Sequence, residues 1–283
     1  MRGTIALDID GTLTAGSFLM PPRTVAYLSS LAAAGWRLIF ITGRTFTSGY
    51  KALKDLPFNY YVAVQNGAII MEMPSRQVVA KKYLDQSIFS VMDAICHSEP
   101  TDFVIYGGFE HQDHCYFRPS RFSPDLLEYL QKRTQTFEEV WHSLETYDQM
   151  ELNAFPSIKC FGHELPAMEL AGKIEKSLGL HVPVIRDPFS NGYYVVQATH
   201  PMINKGQALR DFIAMTEERG HVIAAGDDYN DLPMLAAADT RIVMNTAPAE
   251  VRKQAHIVAA SAEEEGIILA LEAAIKHVGT HRV

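Results

Sequence analysis

The chain has 283 residues, of which 47% are hydrophobic and 20% charged, and its net charge at pH 7 is −8. This length is enough for about two folded domains, and the composition is too apolar for a disordered protein. The sequence has no apolar run near the roughly 18 residues of a membrane span, no apolar leader before its first carboxylates, and only three scattered cysteines. These features exclude a disulfide-rich scaffold and a membrane protein, and we expect a protein of the reducing cytoplasm.

The first predicted strand is the apolar run 4–7, which leads into Asp8-Ile9-Asp10-Gly11-Thr12-Leu13-Thr14. Open α/β sheets bind their ligands beyond the carboxyl ends of their strands, so this segment is a candidate site. Asp8 and Asp10 should point roughly the same way before Gly11 turns the chain. Because two nearby aspartates repel each other, we expect either a cation between them or a raised proton affinity on one. Taken alone, the segment is equally compatible with a turn that favours Asp and Gly.

Strand and helix signals alternate after this motif. The predicted elements are a helix over 24–34 and strands over 37–41, 60–64 and 69–71. The strand over 37–41 ends at Thr42-Gly43-Arg44-Thr45, and Asn66-Gly67 before the last strand is a hairpin signal. Alternation of this kind predicts parallel strands joined by right-handed crossovers, which is the α/β fold class.

The middle of the chain has a different pattern, with paired strands between helices. The predicted helices cover 82–96, 124–134 and 164–178, and the predicted strands cover 102–106, 115–118, 151–161, 182–186 and 193–197. This pattern indicates a separate α+β module over 80–197. Over those residues, 10 basic and 17 acidic side chains leave a net charge of −7. An acidic module is a poor partner for nucleic acid, whose affinity for proteins comes mainly from neutralised phosphates.

The last third of the chain returns to the first pattern. It contains a predicted helix over 205–215, a strand over 221–225, a helix over 232–237, a strand over 241–244 and a closing helix over 262–277. Residues 1–78 and 200–283 are therefore expected to form one discontinuous core domain, with the module over 80–197 inserted into it. The sequence shows no internal repeat and no low-complexity segment.

Several polar residues follow apolar strands or open a helix, and a single parallel sheet would bring them to one edge. They are Asp8, Asp10, Thr42, Lys205, Asp227, Asn230 and Asp231. Magnesium takes oxygen ligands, usually one or two carboxylates with waters and a substrate phosphate, and a hydroxyl and an ammonium suit a phosphoryl group. A carboxylate about 4 Å from a phosphate dianion is repelled by on the order of 8 kcal/mol at an effective dielectric constant near 20. Both a divalent ion and the lysine are therefore needed before an aspartate can attack a phosphate.

This set of motifs resembles the haloacid dehalogenase superfamily, and specifically its Cof-like phosphatases, over essentially the whole chain. The residues that carry the resemblance are Asp8-Ile9-Asp10-Gly11-Thr12, Thr42-Gly43-Arg44, Asn66-Gly67-Ala68, Lys205-Gly206 with Ala208-Leu209, and Gly226-Asp227-x-x-Asn230-Asp231 with Met234-Leu235. The resemblance implies a Rossmann-like parallel-sheet core with a large α/β cap inserted between the second and third motifs. It also implies a magnesium-dependent phosphatase acting on a small phosphomonoester, with a sugar phosphate as the favoured class.

The same resemblance implies a role for each aspartate of the first motif. Asp8 would be the nucleophile and form an aspartyl-phosphate, which splits one difficult displacement into two. Asp10 would protonate the leaving alcohol and then deprotonate the attacking water, and the charge of Asp8 would help to keep a proton on it. An acid at position 10 argues against haloalkanoate dehalogenation, because the dehalogenases of this superfamily lack it.

The resemblance also implies the binding residues. Magnesium would be held by Asp8, the backbone carbonyl of Asp10 and Asp227. Phosphoryl oxygens would be held by Thr42, Gly43, Lys205 and Asn230. Asp231 would support the site by orienting Lys205 or a metal-bound water.

Some alternatives stay open on the sequence alone. A phosphomutase of the same superfamily and a non-catalytic module that binds magnesium or phosphate are the two other functions considered. Asn230 and Asp231 can instead be helix caps, and Arg44 either reaches the cap or the substrate or is a solvated residue at a helix start. His111-Gln112-Asp113-His114-Cys115 offers soft-metal ligands, although a hairpin tip is the simpler explanation. The sequence does not predict the substrate or the oligomeric state.

Overall fold

The computed structural model describes residues 2–15, 19–187, 192–216 and 220–280. Within them the strands are β1 (Gly3–Leu7), β2 (Trp36–Ile41), β3 (Tyr60–Val64), β4 (Ile69–Met73), β5 (Gln77–Lys81), β6 (Leu84–Asp85), β7 (Val104–Tyr106), β8 (Cys115–Phe117), β9 (Trp141–Ser143), β10 (Ala154–Phe155), β11 (Ser157–Gly162), β12 (Val184–Arg186), β13 (Tyr194–Thr199), β14 (His221–Gly226), β15 (Thr240–Met244) and β16 (Ile257–Ala259). The helices are α1 (Pro22–Ala33), α2 (Phe46–Leu53), α3 (Phe89–Cys96), α4 (Pro124–Phe137), α5 (Glu164–Leu178), α6 (Lys205–Ala214), α7 (Leu232–Ala236), α8 (Ala249–Arg252) and α9 (Gly266–Thr280).

The contacts divide the chain into two compact units. The first unit consists of Met1–Arg44, Gly49–Ala80 and Asn204–Val283, and the second of Thr45–Ser48 and Lys81–Ile203. The short segment Thr45–Ser48 belongs to the second unit although the residues on both sides of it belong to the first. No sequence pattern indicated this, because the predicted inserted module covered residues 80–197 alone.

The first unit contains one sheet of eight strands in the order β16-β15-β14-β1-β2-β3-β4-β5. The pairs from β16 to β3 are all parallel, and β4 is antiparallel to β3. Strand β1 is buried along its whole length between β2 and β14. Continuous apolar strands of this kind are typical of parallel sheets whose two faces are covered. The predicted α/β class is therefore confirmed.

The second unit is built around a six-stranded sheet in the order β12-β13-β11-β7-β8-β9, which is antiparallel except for the pair β8–β9. Alternate residues of β11 point to opposite faces of this sheet. Ile158 and Cys160 belong to a buried cluster that also contains residues of α3 and α5. Phe161 belongs to a second cluster, which contains Leu126 and Leu130 of α4. Helices thus cover parts of both faces, as in an α+β module.

Two predicted elements of the middle region are wrong in their boundaries. The helix predicted over 82–96 begins only at Phe89, because Leu84 pairs with Phe155 in a two-stranded sheet and the Asp85 carboxylate accepts a hydrogen bond from the Ser87 N–H. The strand predicted over 151–161 is divided at Pro156 into β10 and β11, which join different sheets. Proline lacks the N–H that a continuous strand would use, so the division falls where the sequence permits it.

The closing helix and several edge elements also differ from expectation. The helix predicted over 262–277 begins at Gly266, because Glu264 accepts hydrogen bonds from Ser261 in a preceding turn and Glu265 has a positive φ of 52°. The elements β5, β9, β16, α2 and α8 were not given boundaries from the sequence. Strand β5 lies at the edge of its sheet and is only partly buried, so it lacks the apolar pattern by which buried strands are recognised.

The three cysteines, Cys96, Cys115 and Cys160, are free and buried. Residues between β7 and β8 form a tight connection in which the Gly107 N–H donates to the His114 carbonyl at 2.8 Å. The His-Cys segment considered above as a metal ligand set thus lies at a hairpin tip. Among the described residues, no helix combines the length and the apolar character needed to cross a membrane.

Candidate active site

Three neighbouring parallel strands of the first unit deliver the polar motifs to one edge of its sheet. Leu7, the last residue of β1, is paired with Phe40 of β2 and with Ala225 of β14, so the three strands end nearly level. The Asp8 N–H still donates to the Ala225 carbonyl at 3.0 Å. The segments that begin at Asp8, Thr42 and Asp227 therefore emerge side by side, as a parallel sheet requires.

Lys205 connects two of these segments. Its ammonium nitrogen lies 2.5 Å from Asp8 Oδ1 and 2.6 Å from Asp231 Oδ1, and all three side chains are at most 5% exposed. Lys205 is the first residue of α6, whose N-cap Asn204 accepts a hydrogen bond from the Gln207 N–H at 2.8 Å. The cap fixes where the helix starts, and hence where the lysine enters the site.

Burial and mutual repulsion shift the ionisation of the carboxylates in this cluster. Burial, with the nearby charges of Asp231 and Asp10, raises the pKa of Asp8 to about 7 although Lys205 opposes the shift. Burial and the charges of Asp8 and Asp231 also raise the pKa of Asp227 well above its usual value. Burial would lower the pKa of Lys205, but the carboxylates of Asp231 and Asp8 outweigh it and hold that pKa above its ordinary range. The cluster thus carries more negative charge than its single lysine balances.

The donor set suits a magnesium ion. One carboxylate oxygen from each of Asp8, Asp227 and Asp231 lies within 4.8 Å of the others. With all three ionised and Lys205 protonated, the formal charge of the group is −2, which a divalent cation would neutralise. Hard oxygen ligands are the ones that magnesium prefers. Both oxygens of Asp231 already accept hydrogen bonds, from Lys205 and from backbone N–H groups, which leaves Asp8 and Asp227 as the better ligands.

A glycine and a threonine of the first motif fit closely around Asp227. Gly11 has a φ of +76°, and a Cβ at this position would lie 2.1 Å from Asp227 Oδ2. The Thr12 hydroxyl, which is fully buried, donates to Asp227 Oδ1 at 3.3 Å. The turn after Asp10 is therefore shaped to receive the Asp227 carboxylate, which explains the Asp-Gly-Thr order.

Asp10 has a different partner from Asp8. The Arg44 Nε donates to Asp10 Oδ2 at 2.6 Å, and the Arg44 Nη2 contacts the other oxygen. The Arg44 side chain is only 7% exposed, so it is neither solvated nor free to serve as a surface residue. From the sequence, the position of the Arg44 side chain was open, and Asp8 was expected to be the main charge acting on Asp10. In the structure, the buried guanidinium of Arg44 is a second charge that acts on Asp10.

The loop after β2 is held by hydrogen bonds to its own residues and to the β3–β4 turn. The Thr42 hydroxyl accepts from the Arg44 N–H at 3.1 Å, and the Thr42 carbonyl accepts from the Asn66 N–H at 2.8 Å. The Asn230 amide donates to Asn66 Oδ1 at 3.4 Å. Gly43 lies between Thr42 and Arg44 and is partly exposed. The structure thus brings Thr42, Gly43 and Asn230 to the same edge of the sheet, where a phosphate role for them stays a prediction.

The segment after β14 combines capping with a role in the site. Asp228 accepts from the Tyr229 N–H at 2.7 Å and caps the turn that follows. Asp231 Oδ2 accepts from the N–H groups of Asp227 and Asp228 at 2.9 and 3.0 Å, while its Oδ1 accepts from Lys205. The Asp231 carboxylate therefore contacts both Lys205 and the backbone of its own turn, and an orienting role for it stays a prediction.

Gly206→Ala should destabilise the first unit. A Cβ at Gly206 would lie 2.2 Å from the backbone oxygen of Pro233, so α6 and α7 must move apart and shift Lys205. We expect the free energy of unfolding to fall by about 2 kcal/mol, measured by urea denaturation. Gly172→Ala in α5 is the matched control, because its Cβ would meet nothing within 4 Å and the change should be neutral or slightly stabilising. Equal effects of the two changes would contradict this explanation.

Comparison with known proteins identifies one family over most of the chain. A family model described as haloacid dehalogenase-like hydrolase matches residues 5–271. The pyridoxal phosphate phosphatase YbhA of Escherichia coli is 25% identical over 272 residues, which are 90% of this chain and 92% of that protein.

Solved structures agree in fold over nearly the whole chain. A haloacid dehalogenase-like hydrolase from Bacteroides thetaiotaomicron superposes with a TM-score of 0.76 at 21% identity, covering 96% of this chain and 99% of that one. A sugar phosphatase of haloacid dehalogenase subclass IIB superposes with a TM-score of 0.73 at 21% identity, covering 98% and 99% of the two chains.

Proposed function

Because the chain belongs to the haloacid dehalogenase-like hydrolase family, in its Cof-like group, we propose that it hydrolyses a small phosphomonoester with magnesium through an aspartyl-phosphate at Asp8. The enzyme class, a phosphoric monoester hydrolase, follows from the family. The metal, the substrate class and the residue roles are our proposal. The observation that carries it is the buried cluster in which Lys205 contacts Asp8 at 2.5 Å beside the carboxylate of Asp227.

In the first step, an oxygen of the Asp8 carboxylate attacks the phosphorus atom. A bond forms between this oxygen and phosphorus, the bond from phosphorus to the alcohol oxygen breaks, and its electron pair leaves with the alcohol. The protonated carboxyl of Asp10 delivers its proton to that oxygen, so a neutral alcohol departs. Lys205 contacts Asp8 Oδ1, and among the described residues no hydrogen-bond donor contacts Oδ2, which is therefore the oxygen that we assign to the attack.

In the second step, water attacks the phosphorus of the aspartyl-phosphate. The Asp10 carboxylate takes a proton from the water, the bond between phosphorus and the Asp8 oxygen breaks, and inorganic phosphate is released. Both aspartates then return to their starting forms. Arg44 is assigned to orient the Asp10 carboxylate in this second step, since it contacts both oxygens of that group.

The remaining residues bind and neutralise the phosphoryl group. A lysine ammonium has three N–H donors, and Lys205 uses two of them on Asp8 and Asp231, which leaves one for a phosphoryl oxygen. Thr42, Gly43 and Asn230 are assigned the other phosphoryl contacts. When bound, magnesium supplies the positive charge that lowers the repulsion between carboxylate and phosphate. Asp8, Asp227 and the backbone carbonyl of Asp10 would hold it.

The substrate is proposed to be a small phosphorylated metabolite, with sugar phosphates as the first class to test. Two of the proteins compared above support this choice, since one is named a pyridoxal phosphate phosphatase and the other a sugar phosphatase. The acidic charge of the middle region disfavours nucleic acids and polyphosphates as substrates. We also propose that the protein is cytoplasmic.

The proposal is tested with about a hundred phosphorylated metabolites, assayed with magnesium for release of inorganic phosphate. We expect several small phosphomonoesters, sugar phosphates among them, to be hydrolysed. Recovery of an isomerised sugar phosphate without free phosphate would favour the phosphomutase alternative. A lack of turnover across the whole panel would favour the non-catalytic binding module.

Removal of the metal should abolish this activity. Without a divalent ion, the cluster has three carboxylates and one lysine, so its net negative charge would repel a phosphate dianion. After dialysis against EDTA, we expect turnover to fall at least about a hundredfold and magnesium to restore it. Calcium, which is larger and less demanding in geometry, serves as the comparison ion and should restore far less. Full activity in EDTA would contradict the assignment of the carboxylate cluster to a metal.

A further inference from the structure

The turn between β3 and β4 has an unusual backbone. Its residues Gln65, Asn66 and Gly67 have positive φ values of 53°, 58° and 103°, and all three are buried. Glycine and asparagine adopt the left-handed region more readily than other residues, whereas a glutamine there lowers stability. Backbone strain of this kind persists where surrounding contacts fix it, and it is concentrated at active sites and ligand-binding sites. The contacts of this turn show which groups it holds in place.

The backbone of the turn is bonded to the loop after β2. The Asn66 N–H donates to the Thr42 carbonyl at 2.8 Å, and the Gln65 N–H donates to the Arg44 carbonyl at 2.9 Å. All four residues belong to the first unit. The position of Asn66 is thus fixed relative to Thr42, which is one of the residues assigned to the phosphoryl group.

The same turn packs against the first turn of α6. A Cβ at Gly67 would lie only 2.5 Å from the Cβ of Ala208, so the turn approaches the helix as closely as a residue without a side chain allows. Ala208 lies three residues after Lys205, which begins α6. The turn is therefore held between the loop that contains Thr42 and the helix that begins at Lys205, and both contacts are internal to the first unit.

The side chain of Asn66 reaches a third segment of the site. Asn66 Oδ1 accepts a hydrogen bond from Asn230 Nδ2 at 3.4 Å. A side-chain amide has a donor end and an acceptor end of nearly the same shape, and rotation by half a turn exchanges them. Only the nitrogen end of Asn230 can donate to Asn66 Oδ1, so this contact selects one of the two orientations. Nδ2 carries two N–H groups and the bond to Asn66 uses one of them, so the other can donate to a phosphoryl oxygen.

We propose that Asn66 is a positioning residue of the phosphatase: its side-chain oxygen orients the Asn230 amide so that an N–H group, and not the amide oxygen, meets the phosphoryl group. In the opposite orientation, the amide oxygen would face a phosphoryl oxygen and the two would repel each other. This inference rests on the proposed function, in which Asn230 binds a phosphoryl oxygen. Asn66 touches none of the reacting atoms, and the contacts of its turn with the Thr42 loop and α6 hold it beside Asn230.

A double-mutant cycle gives a test that a purely structural role would not pass. Asn66→Gly removes the side chain, and glycine keeps the left-handed backbone without strain. Asn230→Ala removes the amide group that Asn66 orients. With p-nitrophenyl phosphate and magnesium, we expect each single variant to lower kcat/KM by about fivefold or more, as for the loss of a hydrogen bond to a charged group. The double variant should equal Asn230→Ala, because Asn66 then has no amide to orient.

Binding of inorganic phosphate provides a second readout, which needs no chemical step. It is measured by isothermal titration calorimetry with magnesium present. We expect the dissociation constant to rise in Asn66→Gly and in Asn230→Ala, and to rise no further in the double variant. A role limited to holding the backbone of the turn would instead make the two losses independent, so that their factors multiply.

Asn66→Ala separates the effect of the side chain from that of the backbone. It removes the same hydrogen bond as Asn66→Gly, but alanine adopts a φ of 58° only with strain. We expect the two variants to have the same kcat/KM within about twofold, while Asn66→Ala unfolds at a lower urea concentration. A kinetic loss that follows the loss of stability, and is therefore larger in Asn66→Ala, would show that Asn66 acts only on the fold.

The outcomes distinguish the inference from the function on which it rests. A wild type that hydrolyses neither p-nitrophenyl phosphate nor any member of the panel would overturn the proposed function. With an active wild type, full activity of Asn66→Gly would overturn the positioning role alone, and so would losses of the two single variants that multiply in the double variant. If Asn66→Gly does not fold, Asn66→Ala completes the cycle in its place.

Discussion

Asp8→Asn should reduce kcat by at least about a thousandfold on every phosphomonoester that the wild type hydrolyses. The amide is nearly isosteric with the carboxylate and still offers an oxygen to Lys205, which lies 2.5 Å from Asp8 Oδ1. It is, however, a far weaker nucleophile, and no other group of the cluster takes its place. The loss is measured with p-nitrophenyl phosphate and magnesium, for which departure of the alcohol needs no acid.

The same variant should keep its fold. Burial and the neighbouring carboxylates disfavour the charged form of Asp8, as the rise of its pKa to about 7 indicates. Removing that charge should therefore leave the unfolding temperature without magnesium unchanged or higher. Asp228→Asn is the matched control, because the Asp228 carboxylate caps only its own turn, and it should keep wild-type kcat within about threefold. Full activity of Asp8→Asn would remove Asp8 from the mechanism.

Lys205→Met should be the most destabilising single change at the site. Lys205 is 2% exposed and contacts Asp8 and Asp231, so its removal leaves buried carboxylates without a counter-charge. Breaking a buried ion pair in this way typically lowers the free energy of unfolding by about 3–5 kcal/mol. We also expect activity to be lost, and magnesium to recover part of the stability because it adds positive charge to the same cluster.

The two tryptophans allow this loss to be measured in the first unit alone. Trp36 is buried in β2 of the first unit, and Trp141 starts β9 of the second. In a Trp141→Phe background, urea unfolding followed by tryptophan fluorescence reports on Trp36. Lys253→Met is the control, since Lys253 forms an exposed pair with Glu250, and it should unfold like its parent. A Lys205→Met variant as stable as that control would contradict the charge balance described here.

The fold and most of the site residues could be predicted because they depend on local patterns. Continuous apolar runs marked β1, β2, β3 and β14, and each is followed at once by polar residues. Since parallel strands end at a common edge, the convergence of Asp8, Thr42 and Asp227 follows from sequence order and topology alone. Lys205 was found in the same way, from its place at the start of a helix.

The contacts that could not be predicted depend on the paths of loops and not on local sequence patterns. Nothing local to Arg44 indicates that its side chain would turn to Asp10, which is 34 residues away, because the direction depends on the turn around Gly43. Asp113 was noticed only as part of a possible soft-metal segment, and its bonds to Thr47 depend on two left-handed residues. Edge strands such as β5 were missed because a partly exposed strand carries little apolar signal.

The stereochemistry at phosphorus tests the covalent step most directly. A phosphorothioate monoester made chiral at phosphorus with two oxygen isotopes is hydrolysed with magnesium in water labelled with the third isotope, and the configuration of the inorganic thiophosphate is determined. Transfer to Asp8 followed by attack of water makes two in-line displacements, each of which inverts the configuration, so the account predicts net retention. Net inversion would mean that water attacks the substrate directly, and would contradict the assignment of Asp8 as the nucleophile.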